Sequence, residues 1–209
     1  MESIGSIDSN AVVIGSGPSL DDFNTDFLDN LRGMGTVIGV NNTAFDFPCD
    51  FNVRKSFGKE ASLPNSMPNY DYKYSNCKLI ISEYDCGDLN RNLRNTSIPG
   101  DYYFFTHQHN EIHWLFKSRI NWPEEGEIVV SWSTMTSALH VAAELGAKNI
   151  FVIGHDLRGG NYSGYPLARG PKYSRFRKQS VAIKKFLQER YNCNIITLSP
   201  YSGIGYHKD

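Results

Sequence analysis

The chain has almost no net charge: 21 Lys and Arg against 22 Asp and Glu leave a formal −1 over 209 residues. No global field draws it to nucleic acid or to an anionic membrane, so any such attraction has to be local. Cysteine is sparse. The four, Cys49, Cys77, Cys86 and Cys193, stand far apart with no CxxC spacing, which argues against a zinc ribbon or a redox pair and for free buried thiols. Long apolar runs are missing as well. Nothing approaches the ~20 apolar residues that cross a bilayer, and the acidic, polar first ten residues lack the basic and apolar regions of an export signal. A cytoplasmic protein without membrane insertion is expected, with residues 1–10 as a flexible N-terminus.

What is present is a core. Hydrophobic residues make up 40% of the chain and aromatics 13%, enough to pack one compact domain and to leave aromatic surface for ligands. Ala11-Val12-Val13-Ile14 is an apolar run that stops at Gly15-Ser16-Gly17-Pro18-Ser19-Leu20, and residues 21–31 set Phe23, Phe27, Leu28 and Leu31 at helical spacing. That reads as strand, tight turn and helix. Residues 36–40 form a second buried strand ending in Asn41-Asn42, 51–53 a short third and 78–82 a fourth, while 55–76 read as a loop over one face. Residues 101–106 suggest a further strand and 111–120 a short helix. Ser133-Thr134 opens a helix through Glu144 with Ala138, Leu139, Ala142 and Leu145 for packing and Gly146 as its C-cap. A strand at 149–153 then ends in Gly154-His155-Asp156, a helix at 179–191 carries Val181, Phe186 and Leu187, and the last strand is 194–198. This alternation predicts a single Rossmann-like three-layer α/β domain over 1–209 with a mainly parallel sheet.

The glycine turn carries the first chemical signal. A Gly at a strand end permits a sharp turn, a second lets a ligand approach the main chain, and the following helix start offers unpaired N–H groups to an anion. Phosphate is the expected guest. GSGPSL lacks the third glycine of GxGxxG, and no Gly-Lys-Ser/Thr follows as in a Walker A loop. Residues 169–178 form the one basic run, with Arg169, Lys172, Arg175, Arg177 and Lys178 around Tyr173 and Phe176. Such a run suits a polyanionic acceptor, nucleic acid included, or a solvated helix start. His107, His109 and His113 lie within seven positions and, on a helix, the last two would share a face. No HExxH motif accompanies them, and no metal site is assigned.

Taken in order, Gly15 to Leu20, Val40-Asn41-Asn42, Ser133-Thr134 with Leu145-Gly146, and Gly154-His155-Asp156 resemble the bacterial lipooligosaccharide sialyltransferases. They also resemble a wider group that includes motility-accessory-factor glycosyltransferases and 6-hydroxymethylpterin diphosphokinase-like proteins. The resemblance implies that Ser16 lies near the donor phosphates, that Asn41, with Asn42 beside it, contacts the nucleotide of a CMP-activated donor, and that Ser133 and Thr134 contact the donor from the helix start. It implies two leaving-phosphate tyrosines after Gly-x-Asp. The first position is Arg158 here, and the second matches Tyr165 with a one-residue shift. The family's general base falls near Arg175, which accepts no proton at neutral pH.

His155 then becomes the substitute base, because it follows the carboxyl end of a strand, where open α/β sheets place ligands. Asp156 would orient it or take the proton itself. The resulting expectation is a glycosyltransferase-like enzyme using a nucleotide-sugar as co-substrate with no tightly bound cofactor or metal. In it Gly15, Ser16, Gly17, Pro18, Ser19, Asn41, Asn42, Ser133, Thr134 and Arg175 bind substrate, and His155, Asp156, Arg158 and Tyr165 act in catalysis. Two alternatives stay open: a pterin-type diphosphokinase with Mg²⁺ on clustered carboxylates, and a nucleotide- or DNA-binding or DNA-modifying protein on the same scaffold.

Overall fold

A computed structural model of the chain describes residues 4–56, 77–85, 88–95, 101–109, 120, 122–131, 133–156, 163 and 173–198, without the side chains of 85, 88–91, 95, 108–109 and 173–178. Eight strands form one parallel sheet: β1 (Asn10–Ile14), β2 (Thr36–Val40), β3 (Phe51–Arg54), β4 (Lys78–Ser82), β7 (Tyr102–His109), β8 (Glu127–Val130), β9 (Asn149–Ile153) and β10 (Asn194–Thr197). Their spatial order is β10-β9-β1-β2-β3-β4-β7-β8. The protein is thus an α/β fold of Rossmann-like type. Between β4 and β7, β5 (Tyr84–Asp85) and β6 (Asp88–Asn92) form a separate antiparallel ladder.

Residue parity explains the layering. In β1, Ala11 and Val13 pack into the cluster that contains Leu139, Ala142, Ile183 and Leu187, from the helices α3 (Thr134–Glu144) and α4 (Tyr173–Tyr191). Val12 and Ile14 face the other way, toward Leu20, Leu28, Leu31 and Ala44. A strand covered on both faces has to be apolar throughout, which is why the apolar runs of β1 and β2 are unbroken. α3 is buried from Thr134 to Ala143, and its small residues Ser137, Ala138, Ala142 and Ala143 let it lie close between sheet and α4. The amide of Val129 donates to His140 Nδ1 at 2.8 Å, and His140 Nε2 meets the Tyr191 hydroxyl at 2.7 Å. That hydroxyl donates to Glu144 Oε2 at 2.5 Å.

Several elements differ from the sequence reading. The helix expected over 21–31 is three short pieces: a 3-10 turn (Pro18–Asp22), α1 (Thr25–Asp29) and a second 3-10 turn (Leu31–Met34). Phe23 is extended and Asn24 caps α1 by accepting from the Asp26 amide, so a new helix start interrupts the apolar spacing. A fourth short helix, α2 (Thr43–Asp46), follows β2. β8 is an addition, as is the β5–β6 ladder. β7 runs to His109, which puts His107 and His109 on a strand, and 111–119 and His113 lie outside the described residues. α4 starts six residues before the expected 179. α3 closes at Leu145, with Gly146 following at φ +103. The start of the chain is tied down from Ile7, whose amide donates to Leu145 O, and Asp8 accepts from Thr36 Oγ1. Cys49, Cys77 and Cys193 are free thiols; Cys86 lies outside the described residues. Burial pushes Cys77 up to about 12 and Cys49 well above its ordinary value, with neighbouring Asp50 adding in the same sense. No helix among the described residues is long and apolar enough to cross a membrane.

Candidate functional site

From β1 the chain adds strands in one direction as far as β8, then returns through α3 to place β9 on the other side of β1. The carboxyl ends of β1 and β9 are therefore the switch point of the sheet, where loops diverge to opposite sides and open α/β sheets place their ligands. Gly15 and Gly154 sit there. The Gly15 amide donates to Ile153 O at 2.9 Å and the Gly17 amide to Gly154 O at 2.7 Å. A Cβ on Gly15 would stand 2.5 Å from Gly154 O, and one on Gly154, at φ +63, would strike Gly15 O. The glycines let two backbones touch.

The unpaired amides expected in this turn are already engaged. Asp156, 2% exposed, accepts from the Ser19 amide at 2.6 Å and from the Ser19 hydroxyl, and a Cβ on Gly17 would meet its Oδ2 at 2.5 Å. The Leu20 amide donates to Gly17 O. A carboxylate of the chain itself thus lies where a phosphate was expected. The anticipated His155–Asp156 couple is not formed either. Asp156 turns to the glycine turn through Ser19, and His155 turns to the start of α3 through Ser133.

His155 is 7% exposed; Nε2 lies 3.5 Å from Ser133 Oγ, and buried Nδ1 has no hydrogen-bond partner. Burial lowers its pKa to about 4, against the raising effect of Asp156, so the ring is neutral at pH 7. Ser133 is the N-cap residue of α3, but its side chain makes no capping hydrogen bond. The Thr136 amide donates to Ser133 O and the Ser133 amide to Ser131 Oγ, so among the described residues the Thr134 and Met135 amides are left without an acceptor. They stand at the positive end of the helix dipole. Asn41, at φ +54 just past β2, donates Nδ2 to Thr134 Oγ1 at 3.5 Å. Thr43 holds this corner together: Val40 N donates to its hydroxyl, which contacts Ile14 O at 3.2 Å.

Two cations that the sequence reading passed over join the same edge. Arg54 ends β3, is 6% exposed, donates Nη2 to Asn42 Oδ1 at 2.6 Å and lies 5.5 Å from the Phe45 ring centre. Lys55 Nζ donates to Ser131 O at 2.7 Å, two residues before the α3 cap. Their signal was their place directly after Phe51-Asn52-Val53, at the carboxyl end of a parallel strand. Arg158 and Tyr165 lie outside the described residues, as does the side chain of Arg175, whose backbone is in the first turn of α4. Ser163, between them, donates its amide and hydroxyl to Asp21. A shallow depression of about 280 Å³ lies elsewhere, among the short helices, and Asp21, Asp29 and Asp46 on its lining disfavour a phosphate.

No family model matches the sequence, and no curated protein matches it. Solved structures do. The MAf glycosyltransferase from Magnetospirillum magneticum AMB-1 superposes with a TM-score of 0.61 at 15% identity over 94% of this chain. The chain spans 32% of that protein's length. The sialyltransferase CST-II, determined in complex with CMP, superposes with a TM-score of 0.51 at 16% identity over 96% of this chain and 88% of its own. Neither lends support to a pterin diphosphokinase. At low sequence identity, the chain shares its Rossmann-like fold with these two solved glycosyltransferase structures.

Proposed function

We propose that the protein is a glycosyltransferase-like enzyme that takes a nucleotide-activated sugar, of the CMP-linked kind, at the β1–β9 switch point and transfers the sugar to a hydroxyl acceptor. The reading rests on one observation above the rest: of the two turns at this switch point, the glycine turn is filled by Asp156, whereas the Thr134 and Met135 amides at the start of α3 have no acceptor among the described residues. The donor phosphate is assigned to that helix start, with the Ser133 and Thr134 hydroxyls beside the amides. Asn41 and Asn42 hold the nucleotide, and Gly15, Ser16, Gly17, Pro18 and Ser19 form the wall of that site in place of a phosphate cradle.

His155 accepts the proton of the acceptor hydroxyl. Its Nε2 faces the same helix start; burial leaves the ring unprotonated at neutral pH but lowers its basicity. Arg158 and Tyr165 are assigned to the departing phosphate from their position in the chain after Gly154-His155-Asp156, and Arg175, on α4, to a polyanionic acceptor. The reaction requires no tightly bound metal or cofactor in this scheme, and we place the whole chain in one cytoplasmic domain.

Titration calorimetry with CMP, CDP, UMP and UDP tests the reading. Cytidine nucleotides are expected to bind with Kd on the order of 10 µM to 1 mM, the range of ordinary enzyme substrates, and more tightly than their uridine counterparts. No heat at millimolar concentration of any of them contradicts it.

A further inference from the structure

The carboxylate of Asp156 satisfies the Ser19 amide and hydroxyl from 137 residues away in the chain. It is 2% exposed, Ser19 is 1% exposed, and Gly17 has no Cβ because that carboxylate occupies the space. We propose that Asp156 is the resident anion of the glycine turn: a positioning residue that latches the end of β9 to the turn after β1 and thereby fixes its neighbour His155 against Ser133. The proposal rests on the donor-site reading for what the latch positions, but the latch itself stands on the contacts of Ser19.

Three features point the same way. Both Ser19 donors converge on one carboxylate, the arrangement by which a turn holds a bound anion. The Gly17 amide donates to Gly154 O, so the two segments are pinned at a second point one residue from His155. Among the described residues His155 makes no hydrogen bond through Nδ1, and its one hydrogen bond, to Ser133 Oγ, is long. The ring is therefore held by packing with one long hydrogen bond, and its aim depends on how the backbone on its C-terminal side is held. Asp156 accordingly acts through His155 and the turn without touching substrate.

Chemical rescue tests it. Asp156→Ala leaves a carboxylate-sized space lined by the Ser19 donors, and its melting temperature is expected to fall by about 5–10 °C. Sodium formate at ~200 mM should recover about 2–4 °C of that loss while sodium chloride at equal ionic strength recovers none. Asp156→Asn, which keeps the shape and an acceptor, should melt closer to the wild type and show no formate response. In a parallel titration, CMP affinity should weaken about 3–10-fold in Asp156→Ala and return with formate. If formate and chloride act alike on Asp156→Ala, the latch is refuted. If Asp156→Ala does not fold, Ser19→Ala takes its place: a fall of about 2–4 °C with weakened CMP binding sustains the latch, and wild-type behaviour refutes it. Absence of CMP binding by the wild-type protein refutes the donor site while leaving the formate response to decide the latch.

Discussion

His155 and Thr134 show how much of the site single residues carry. His155 was legible as a candidate because Gly-His-Asp follows an apolar run, and a strand's carboxyl end is where ligands go. The direction of its ring was not legible, nor was the turning of Asp156 to Ser19, because the partners lie 22 and 137 positions away in the chain. Arg54 and Lys55 escaped notice for a related reason: two adjacent cations look like solvated surface until the sheet places them beside Asn42 and Ser131. Thr134 accepts from Asn41 and stands at the start of α3. Thr134→Val keeps the volume and removes the hydroxyl, so CMP affinity is expected to fall about 5–10-fold, the worth of a hydrogen bond or slightly more. Unchanged affinity by calorimetry would take the helix start out of the donor site.

At the scale of elements, apolar strands were the readable part, those inside the sheet and the half-buried edge strand β10 alike. β1, β2, β4, β9 and β10 are apolar runs bounded by polar or turn residues, and each was recognised to within a residue or two. β8, four residues long like β3 and β10, sits behind a Pro-Glu-Glu-Gly stretch that reads as turn, and the 21–31 helix was broken by the Asn24 cap that its apolar spacing conceals. α3 is held by a polar chain as well as by packing, and this has a consequence in acid. Burial lowers His140 to about 3, with Arg190 acting in the same sense, and His155 to about 4. Both are proton-free when folded and bind protons near pH 6.5 when unfolded. The unfolded chain therefore binds more protons below pH 6.5, and stability is lost as pH falls from about 6.5 toward 4. Urea unfolding at pH 7 and pH 5 should differ by about 2 kcal/mol for each imidazole, and His155→Gln should remove one such share. A pH-independent midpoint in that window would show that the two rings are not buried neutral.

At the scale of the whole molecule, the order of strands decides where chemistry can occur. The return of the chain from β8 to β9 creates one switch point, and Asn41, Ser133, Thr134 and His155 collect near it, while His107 stands on β7 away from it. That a parallel α/β sheet would form was readable from alternating apolar runs; the strand order was not, since nothing local tells β9 to join β1 and leave β8. The two structural neighbours share the fold at 15–16% identity, so the account of the donor stands on this chain's own residues at that switch point. The most direct measurement is amide chemical-shift mapping of the protein with CMP. The account predicts the largest shifts at Gly15, Asn41, Thr134, Met135 and His155. Shifts confined to Phe23, Thr25 and Phe47, around the acidic depression among the short helices, with α3 unperturbed, would contradict it.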